Sequence, residues 1–376
     1  MRVNELISKI KEYYKKNKTR IDYLFSVIFL PLTFIITFLI RNYHVFLYES
    51  TKTGDYAANG LQIIRAGMFK ELLGPYSRFE FNHPGPISFY YYAFMEKILF
   101  FIKHDSAKHF LSQFLINSIF IIISLHIIHT SFKKNKTRNT IIFFTLILFF
   151  IKYIGLYKII SLWGPDIILF PMLLFILSSS KVAQGNLKHL ILSIISSVFI
   201  VHNQLGGLIT VIPIFTLSIL FLINQKRKEK KKITKKDWRI IIYSGALSFI
   251  SLFPIFVDQL FYNKNLSKIF TFFKQNAGIQ HSFLESSKFI IDFIINPLPE
   301  ILKINTIIIL SFFLTITIFG FNKKNKFLNI TILFVYFSIF LSIYGAMKVV
   351  GDLLPYLFNY IHMIILIFYF IIVIST

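Results

Sequence analysis

Apolar stretches of about 18 residues or more recur along the whole chain, with short basic or polar segments between them. Runs of this length without alternation predict membrane-spanning helices, because a helix satisfies its own backbone hydrogen bonds within hydrocarbon. The same lack of alternation excludes a transmembrane barrel. We therefore expect an all-α, polytopic transmembrane bundle of about ten spans. The expected spans are 21–40, 109–130, 140–157, 166–180, 190–201, 208–223, 240–257, 301–319, 328–344 and 355–374.

Basic side chains cluster between the apolar stretches and give the chain a net charge of +24. Lys and Arg concentrate in the cytoplasmic loops of membrane proteins, so the clusters predict a cytoplasmic N-terminus in a multi-pass protein of the cell membrane. We expect contact with membrane lipids and not with nucleic acid, since no base-reading motif accompanies the basic runs. The runs predicted to face the cytosol are 9–20, 133–138, 226–236 and 323–326.

One apolar stretch, at 87–102, differs from the others because it is short and rich in tyrosine. Glu96 and Lys97 interrupt it, and tyrosine favours the membrane interface, so we expect a helix lying at the outer surface rather than a crossing. The predicted organisation is a basic segment at 1–20 and a single transmembrane domain at 21–376, within which two large outer loops occupy 41–108 and 258–300.

Within the first outer loop, the segment 54–86 gathers the polar side chains Asp55, Arg65, Glu71, Arg78, Glu80, Asn82 and His83. Asp55 lies at the expected start of an interfacial helix, where the positive end of the helix helps to keep a carboxylate ionised. Such a carboxylate can accept a proton from a substrate hydroxyl, although a plain helix cap is the alternative. Arg78 suits a phosphate through its planar fork of donors, and Asn82 and His83 can hydrogen-bond a substrate. The alternative is that Arg78 is an interfacial anchor and that His83 is a donor that satisfies groups of the loop.

Further polar groups lie on the same predicted side. Asp166 begins a span, where it is either a second active-site carboxylate or a plain cap for that span. His202, Asn203 and Gln204 interrupt apolar sequence between two spans, which is costly unless the groups are satisfied or functional. Lys348 can bind a lipid phosphate or act as a snorkelling anchor. No metal-ligand spacing and no nucleotide-binding motif occur, so no cofactor is expected, and the sequence leaves the use of a divalent ion open.

At this point the sequence resembles the GT-C superfamily of integral-membrane glycosyltransferases, which includes protein O-mannosyltransferases and lipid A aminoarabinose transferases. In that family an acidic residue follows the first span, a His-Pro segment introduces an aromatic interfacial helix, and a Pro-Asp pair lies at the second outer turn. The segment GPYSRFEFNHPGP is similar to one found in bacterial GT-C-like proteins of unassigned substrate. The family often has a second acidic residue where Tyr56 stands here. The matching residues are Asp55, His83 and Pro84 followed by 87–93, and Pro165 and Asp166.

The resemblance implies an inverting transfer of a sugar from a polyprenyl-phosphate donor to a glycan, lipid or protein acceptor on the outer face of the membrane. By the same resemblance Asp55 is the catalytic base, Asp166 is the second outer acidic residue near the site, and Lys348 contacts the donor phosphate. The predicted substrate-binding residues are Arg78, Asn82, His83, His202, Asn203, Gln204 and Lys348.

Two other classes of protein stay open. The first is a transporter or flippase of a lipid-linked saccharide, which predicts ionisable groups near the middle of the membrane and two related halves. The sequence shows neither feature clearly. The second is a non-catalytic partner subunit of another membrane enzyme, which would keep the same shape without needing Asp55.

Overall fold

The structure is a computed structural model of the 376-residue chain, and it describes residues 16–51, 53–230, 233–298 and 325–375. Within these residues the protein is helical, apart from one isolated antiparallel bridge between Tyr76 and Asn82. In chain order the main helices are α1 (Lys16–Arg41), α2 (Gly54–Gly67), α3 (Ile87–Ile98), α4 (Asp105–Ser131), α5 (Lys136–Ile154), α6 (Gly164–Ala183), α7 (Leu187–Asn203), α8 (Leu205–Lys228), α9 (Lys235–Phe261), α10 (Asn265–Gln275), α11 (Phe283–Ile295), α12 (Lys326–Met347) and α13 (Ile361–Ser375).

Seven of these helices are long and apolar enough to cross a membrane, which supports a multi-pass membrane protein. They are α1, α4, α5, α6, α8, α9 and α12. Two further predicted spans are shorter apolar helices, α7 and α13. The last helix is shorter than expected because the chain first makes a 3₁₀ turn at Pro355–Phe358. The predicted span 301–319 and most of the predicted basic segment 1–20 lie outside the described residues.

Helix α6 forms the centre of the bundle. Its most apolar 18-residue window is completely buried, whereas those of α1 and α9 are only 22% and 17% buried. This complete burial places α6 at the core of the bundle, and the small residues at 178–180 let neighbours approach closely. One of them, Ser179, hydrogen-bonds Ser193 of α7 at 2.7 Å. The centrally placed α6 therefore holds the surrounding helices in register.

Helix α3 lies in the polar loop at 41–108, which we call the first polar loop, and it does not resemble a span. Helix α3 has 12 residues, too few to cross a bilayer, as its interrupted sequence predicts. Glu96 of α3 accepts a hydrogen bond from His109 of α4 at 2.6 Å, and the hydroxyl of Tyr92 donates to Gln113 of α4 at 2.6 Å. The charge that interrupts the apolar stretch thus has a buried partner, and it fixes α3 to the side of α4.

Between α2 and α3 the chain forms a tight hairpin, where the sequence suggests only turns around proline. The amide of Gly74 donates to the carbonyl of His83 at 3.0 Å, and the amide of His83 returns a bond to Pro75 at 2.7 Å. Nearer the tip, Ser77 donates to Phe81 at 2.9 Å. We call residues 74–83 the hairpin.

The hairpin is bound to residues 258–298, which we call the second polar segment. The backbone amide of Asn82 donates to Oδ1 of Asn265 at 2.8 Å, and Nδ2 of Asn265 donates back to the carbonyl of Asn82 at 2.9 Å. Asn265 begins α10 and is itself held by buried Asp258, which accepts from its amide at 3.0 Å. The two polar segments that are far apart in sequence therefore form one structure.

Glycine is required where the hairpin meets the end of α7. A Cβ atom at Gly74 would lie 2.7 Å from the carbonyl oxygen of His83 and closer still to that of His202. A Cβ atom at Gly85 would lie 2.5 Å from the His202 ring. Both glycines allow the backbone of the first polar loop to lie directly against His202, which is almost completely buried.

We expect Gly74→Ala to destabilise the protein by about 1–3 kcal/mol, because the new methyl group meets backbone atoms that cannot move independently. The measurement is the midpoint of thermal unfolding of the purified protein in detergent. Gly245→Ala is the matched control, since Gly245 lies within α9 and a Cβ atom there meets nothing within 4 Å. The control should unfold at the same or a slightly higher temperature, and equal losses for both variants would contradict the close approach.

Candidate functional site

A cavity of about 540 Å³ lies at one end of the bundle, between the first polar loop and the second polar segment. Its walls come from α2, the hairpin, the start of α6, the junction of α7 with α8, helix α10 and the end of α12. Basic residues gather at the opposite end, where Lys226 is 3.1 Å from Asp237 and Lys326 contacts Gln225. We refer to these as the cavity end and the basic end. Five of the residues predicted for the site line this cavity: Asp55, Arg78, His83, Gln204 and Lys348.

Asp55 is in the first turn of α2, as the sequence predicts. The N-cap position is occupied by Thr53, and the Asp55 carboxylate binds the hairpin instead of capping the helix. Its Oδ1 accepts a hydrogen bond from the Tyr76 hydroxyl at 2.6 Å, and this bond raises the pKa of Tyr76. The carboxylate therefore lies at the positive end of the helix, with one of its oxygens bound to the hairpin. The other oxygen has no partner among the described residues and can act as an acceptor.

Two cationic side chains line the same cavity, and each is tied to a backbone carbonyl. Arg78 donates to the carbonyl of Val350 at 3.2 Å, and its guanidinium lies 4.8 Å from the centre of the Phe79 ring. Lys348 donates to the carbonyl of Ala277 at 2.6 Å. A guanidinium has five N–H donors and an ammonium three, so both groups keep donors for an anionic ligand. Among the described residues neither cation is paired with a carboxylate.

His83 enters the cavity wall as a neutral ring. Burial lowers its pKa to about 4, so the imidazole carries no charge near pH 7. Its Nδ1 accepts a hydrogen bond from the backbone amide of Leu205 at 3.1 Å. Because that nitrogen is an acceptor, the ring proton is on Nε2. His83 therefore links the hairpin to the start of α8 and offers a neutral N–H donor.

The remainder of the wall is apolar and aromatic. Phe79 of the hairpin packs on Phe272 of α10, with ring centres 4.6 Å apart, and Phe81 lies 5.3 Å from the same ring. On the other side Trp163 lies 5.0 Å from Tyr356. The cavity thus combines a few charged groups at its edge with a surface that suits hydrocarbon, which is typical of sites for amphipathic ligands.

Asp166 lies behind the cavity wall rather than at its surface. It is 1% exposed, and its Oδ1 accepts a hydrogen bond from Nδ2 of Asn359 at 2.9 Å and lies 3.5 Å from the ammonium of Lys158. These contacts join the start of α6 to the turns before α6 and before α13. Its neighbours Trp163 and Pro165 line the cavity, so the structure gives Asp166 the role of holding that wall.

Three other predicted site residues are also held by protein groups. Asn82 binds Asn265 and donates from its side chain to Gly74 at 3.1 Å. Asn203 accepts from the Ser88 hydroxyl at 2.5 Å, and its carbonyl would lie 2.5 Å from a Cβ atom at Gly164. His202 packs against the two glycines described above. Asn203 is thus bound to the first polar loop and packs against α6. His202 packs against the same loop, and its buried Nδ1 has no hydrogen-bond partner among the described residues.

The cavity also contains polar groups that the sequence analysis does not select. Asn59 is 2% exposed and donates to Leu162 at 2.9 Å, while its Oδ1 has no partner among the described residues. It follows Asp55 by four residues, so helical spacing places both side chains on one face of α2. That spacing is a signal the sequence contains. The positions of Tyr76 and Trp163 depend on long-range packing and have no such signal.

Within the described ranges, no group of three or more His, Asp or Glu side chains is placed to hold a metal ion. Comparison of the chain with protein-family models, with curated proteins and with solved structures finds no match. The architecture defines a helical protein with seven candidate membrane-spanning helices. The GT-C resemblance stays a prediction.

Proposed function

We propose that the protein is a membrane glycosyltransferase that takes a sugar from a polyprenyl-phosphate donor and transfers it to a hydroxyl acceptor on the outer face of the membrane. One observation carries the proposal: Asp55, Arg78 and Lys348 line a single cavity whose remaining surface is mostly apolar. The carboxylate suits an acceptor hydroxyl, the cations suit a phosphate, and the apolar surface suits an isoprenoid chain.

The donor fits the cavity by the polarity of its parts. A polyprenyl phosphate has a hydrocarbon tail and an anionic head, and the cavity places aromatic side chains beside cations. The rings of Phe79, Phe81 and Phe272 form a continuous apolar surface next to Arg78. The sugar beyond the phosphate then lies toward Asp55 and Asn59, where acceptor atoms for its hydroxyl groups are available.

In the proposed reaction, Asp55 removes the proton from the acceptor hydroxyl as the oxygen attacks the anomeric carbon. The new carbon–oxygen bond forms while the bond from the anomeric carbon to the phosphate oxygen breaks. The polyprenyl phosphate leaves with the electron pair, and its negative charge is met by Arg78 and Lys348. Positioned charge of this kind supplies a large part of the rate of many transfer enzymes, and no nucleotide is consumed.

The proposed orientation of the protein in the membrane follows from the distribution of its basic residues. The cavity end and the basic end are at opposite ends of the helices, and Lys-rich loops favour the cytosol. That rule directs the cavity to the outer side, where nucleotide sugars are absent and lipid-linked sugars are the available donors. Cysteine substituted singly into this cysteine-free chain, at exposed Glu80, should react with a membrane-impermeant maleimide in intact cells. Labelling only after cell lysis would contradict the proposed orientation.

The direct test uses membrane vesicles loaded with a tritium-labelled polyprenyl-phosphate hexose. Vesicles that contain the protein should move the label from the lipid fraction to a water-soluble or glycan fraction faster than vesicles without it. The same assay with Asp55→Asn shows whether the release depends on the proposed base. Label that stays in the lipid fraction in both preparations, for glucose and mannose donors alike, would overturn the proposal.

We expect Lys348→Ala to weaken the apparent affinity for the lipid donor by about tenfold to a hundredfold, because a hydrogen bond to a charged group is lost. The measurement is the rate of release as a function of donor concentration. Lys274→Ala is the matched control, since Lys274 is an exposed lysine near the end of α10 that does not line the cavity. Equal donor dependence in the two variants would remove Lys348 from the proposed phosphate contact.

A further inference from the structure

A second cavity, of about 440 Å³, lies beside the first. Its lining comes from residues 157–163 between α5 and α6, from the start of α2, and from the Phe110 ring of α4. Two residues, Asp55 and Trp163, line both cavities. The proposed base is therefore accessible from two directions, and the catalytic proposal above uses only one of them.

The second cavity differs from the first in charge. Among the described residues that line it, Asp55 is the only Asp, Glu, Lys, Arg or His. Lys158 follows the lining residue Tyr157 in the sequence, but its ammonium lies 3.5 Å from the Asp166 carboxylate and its side chain is 14% exposed. A site with a carboxylate and without a cation disfavours a phosphate and suits a neutral ligand. A second phosphorylated lipid is thus a poor occupant.

Aromatic rings make up much of its surface. Tyr56 stacks on Phe110 with ring centres 5.4 Å apart, and Tyr157 is 64% exposed beside them. Trp163 closes the side that faces the first cavity. Neither the indole N–H of Trp163 nor the hydroxyl of Tyr157 has a hydrogen-bond partner among the described residues. Flat rings with free polar edges match a pyranose, whose C–H face packs on an aromatic ring while its hydroxyl groups bond at the rim.

We propose that the second cavity is the acceptor site and that the acceptor is a neutral saccharide. A hydroxyl of that saccharide would reach the free oxygen of Asp55 from the Tyr157 side, while the donor sugar occupies the first cavity on the other side of the carboxylate. The assignment of this saccharide as the acceptor rests on the proposed function, but the binding of a saccharide beside Trp163 can be tested without turnover.

The chain has two tryptophans, Trp163 and Trp238, so Trp238→Phe leaves Trp163 as a single fluorescent reporter. Trp238 is exposed and lies in the first turn of α9 at the basic end, far along the helix from the cavities. The single-tryptophan protein in nanodiscs is titrated with maltotriose, with chitotriose and with a Ser/Thr-rich peptide. We expect at least one trisaccharide to change the Trp163 emission in a saturable way below about 10 mM, and the peptide to leave it unchanged.

Two further substitutions assign the change to one cavity. Tyr157→Ala removes an exposed ring from the second cavity only and should weaken saccharide binding about tenfold. Phe273→Ala removes a similarly exposed ring from the first cavity only and should leave the saccharide titration as it was. No response to either trisaccharide, a response to the peptide alone, or a loss caused by Phe273→Ala and not by Tyr157→Ala would each overturn the inference.

The outcomes separate this inference from the proposed function. If a trisaccharide binds with the Tyr157 dependence but the vesicles release no sugar, the saccharide site survives and the transferase proposal fails. If sugar is released with the Asp55 dependence but no trisaccharide binds, the transferase proposal survives and the saccharide assignment fails.

Discussion

Asp55→Asn is expected to reduce transfer from the lipid-linked donor by about a hundredfold to ten-thousandfold, which is the range for losing a general base. The asparagine amide has the size of the carboxylate and can still accept the Tyr76 hydroxyl through its oxygen, so the local structure should persist. It cannot take a proton from an acceptor. The measurement is the rate of label release from the polyprenyl-phosphate donor, with the amount of inserted protein determined in the same vesicles.

Glu80→Gln is the matched control for that experiment. Glu80 lies on the same loop at the tip of the hairpin, is exposed, and does not line the cavity. It removes the same charge without removing the proposed base and should keep normal transfer. If the two variants lose activity equally, or if Asp55→Asn transfers at the wild-type rate, Asp55 is not the base.

Asp166→Ala has the second large expected effect, and that effect is on stability. Removing one member of a buried ion pair leaves the other charge without a partner, which typically costs about 3–5 kcal/mol. Here the ammonium of Lys158, 14% exposed, and the side-chain amide of Asn359 would both lose their acceptor. The measurement is the free energy of unfolding by titration with SDS. Transfer should fall only in proportion to the folded fraction.

A double-variant cycle tests whether the pair is the cause. Lys158→Met removes the charge that Asp166→Ala would leave unpaired, so the double variant should be more stable than Asp166→Ala alone by about 1–3 kcal/mol. If the two losses simply add, the ion pair does not determine stability. If folded Asp166→Ala protein instead loses transfer as fully as Asp55→Asn, then Asp166 belongs to the chemistry, as the GT-C resemblance implies.

The sequence predicts the helices well because the bilayer imposes a simple rule on it. Within the described residues, long apolar runs predict all seven helices that are long and apolar enough to span, and the pair Glu96 and Lys97 predicts that α3 is too interrupted to be one. Length is predicted less well. α13 is shorter than expected, since hydropathy does not distinguish the 3₁₀ turn at Pro355–Phe358 from the helix that follows it.

The site is predictable only in part, because a polar residue in an apolar sequence can either line a cavity or bind another part of the protein. The sequence alone does not distinguish these two roles. Asp55 and Lys348 line the cavity, whereas His202 and Asn203 are used to hold the first polar loop. What distinguishes them is whether another protein group occupies the same space. The two glycines that admit His202 are visible in the sequence, but their partner is more than a hundred residues away and only packing identifies it.

The hydrogen bonds of Arg78 and Lys348 restrain two segments that border the cavity. Each cation is attached to a carbonyl of a different connecting segment, at Val350 and at Ala277. In the proposed reaction, a phosphate that draws both cations would have to compete with those carbonyls, so binding of the proposed donor would loosen the segments that border the cavity. Release of the lipid would allow both hydrogen bonds to re-form. Arg78 and Lys348 would in this way couple the exchange of the ligand to the order of the two segments beside the cavity.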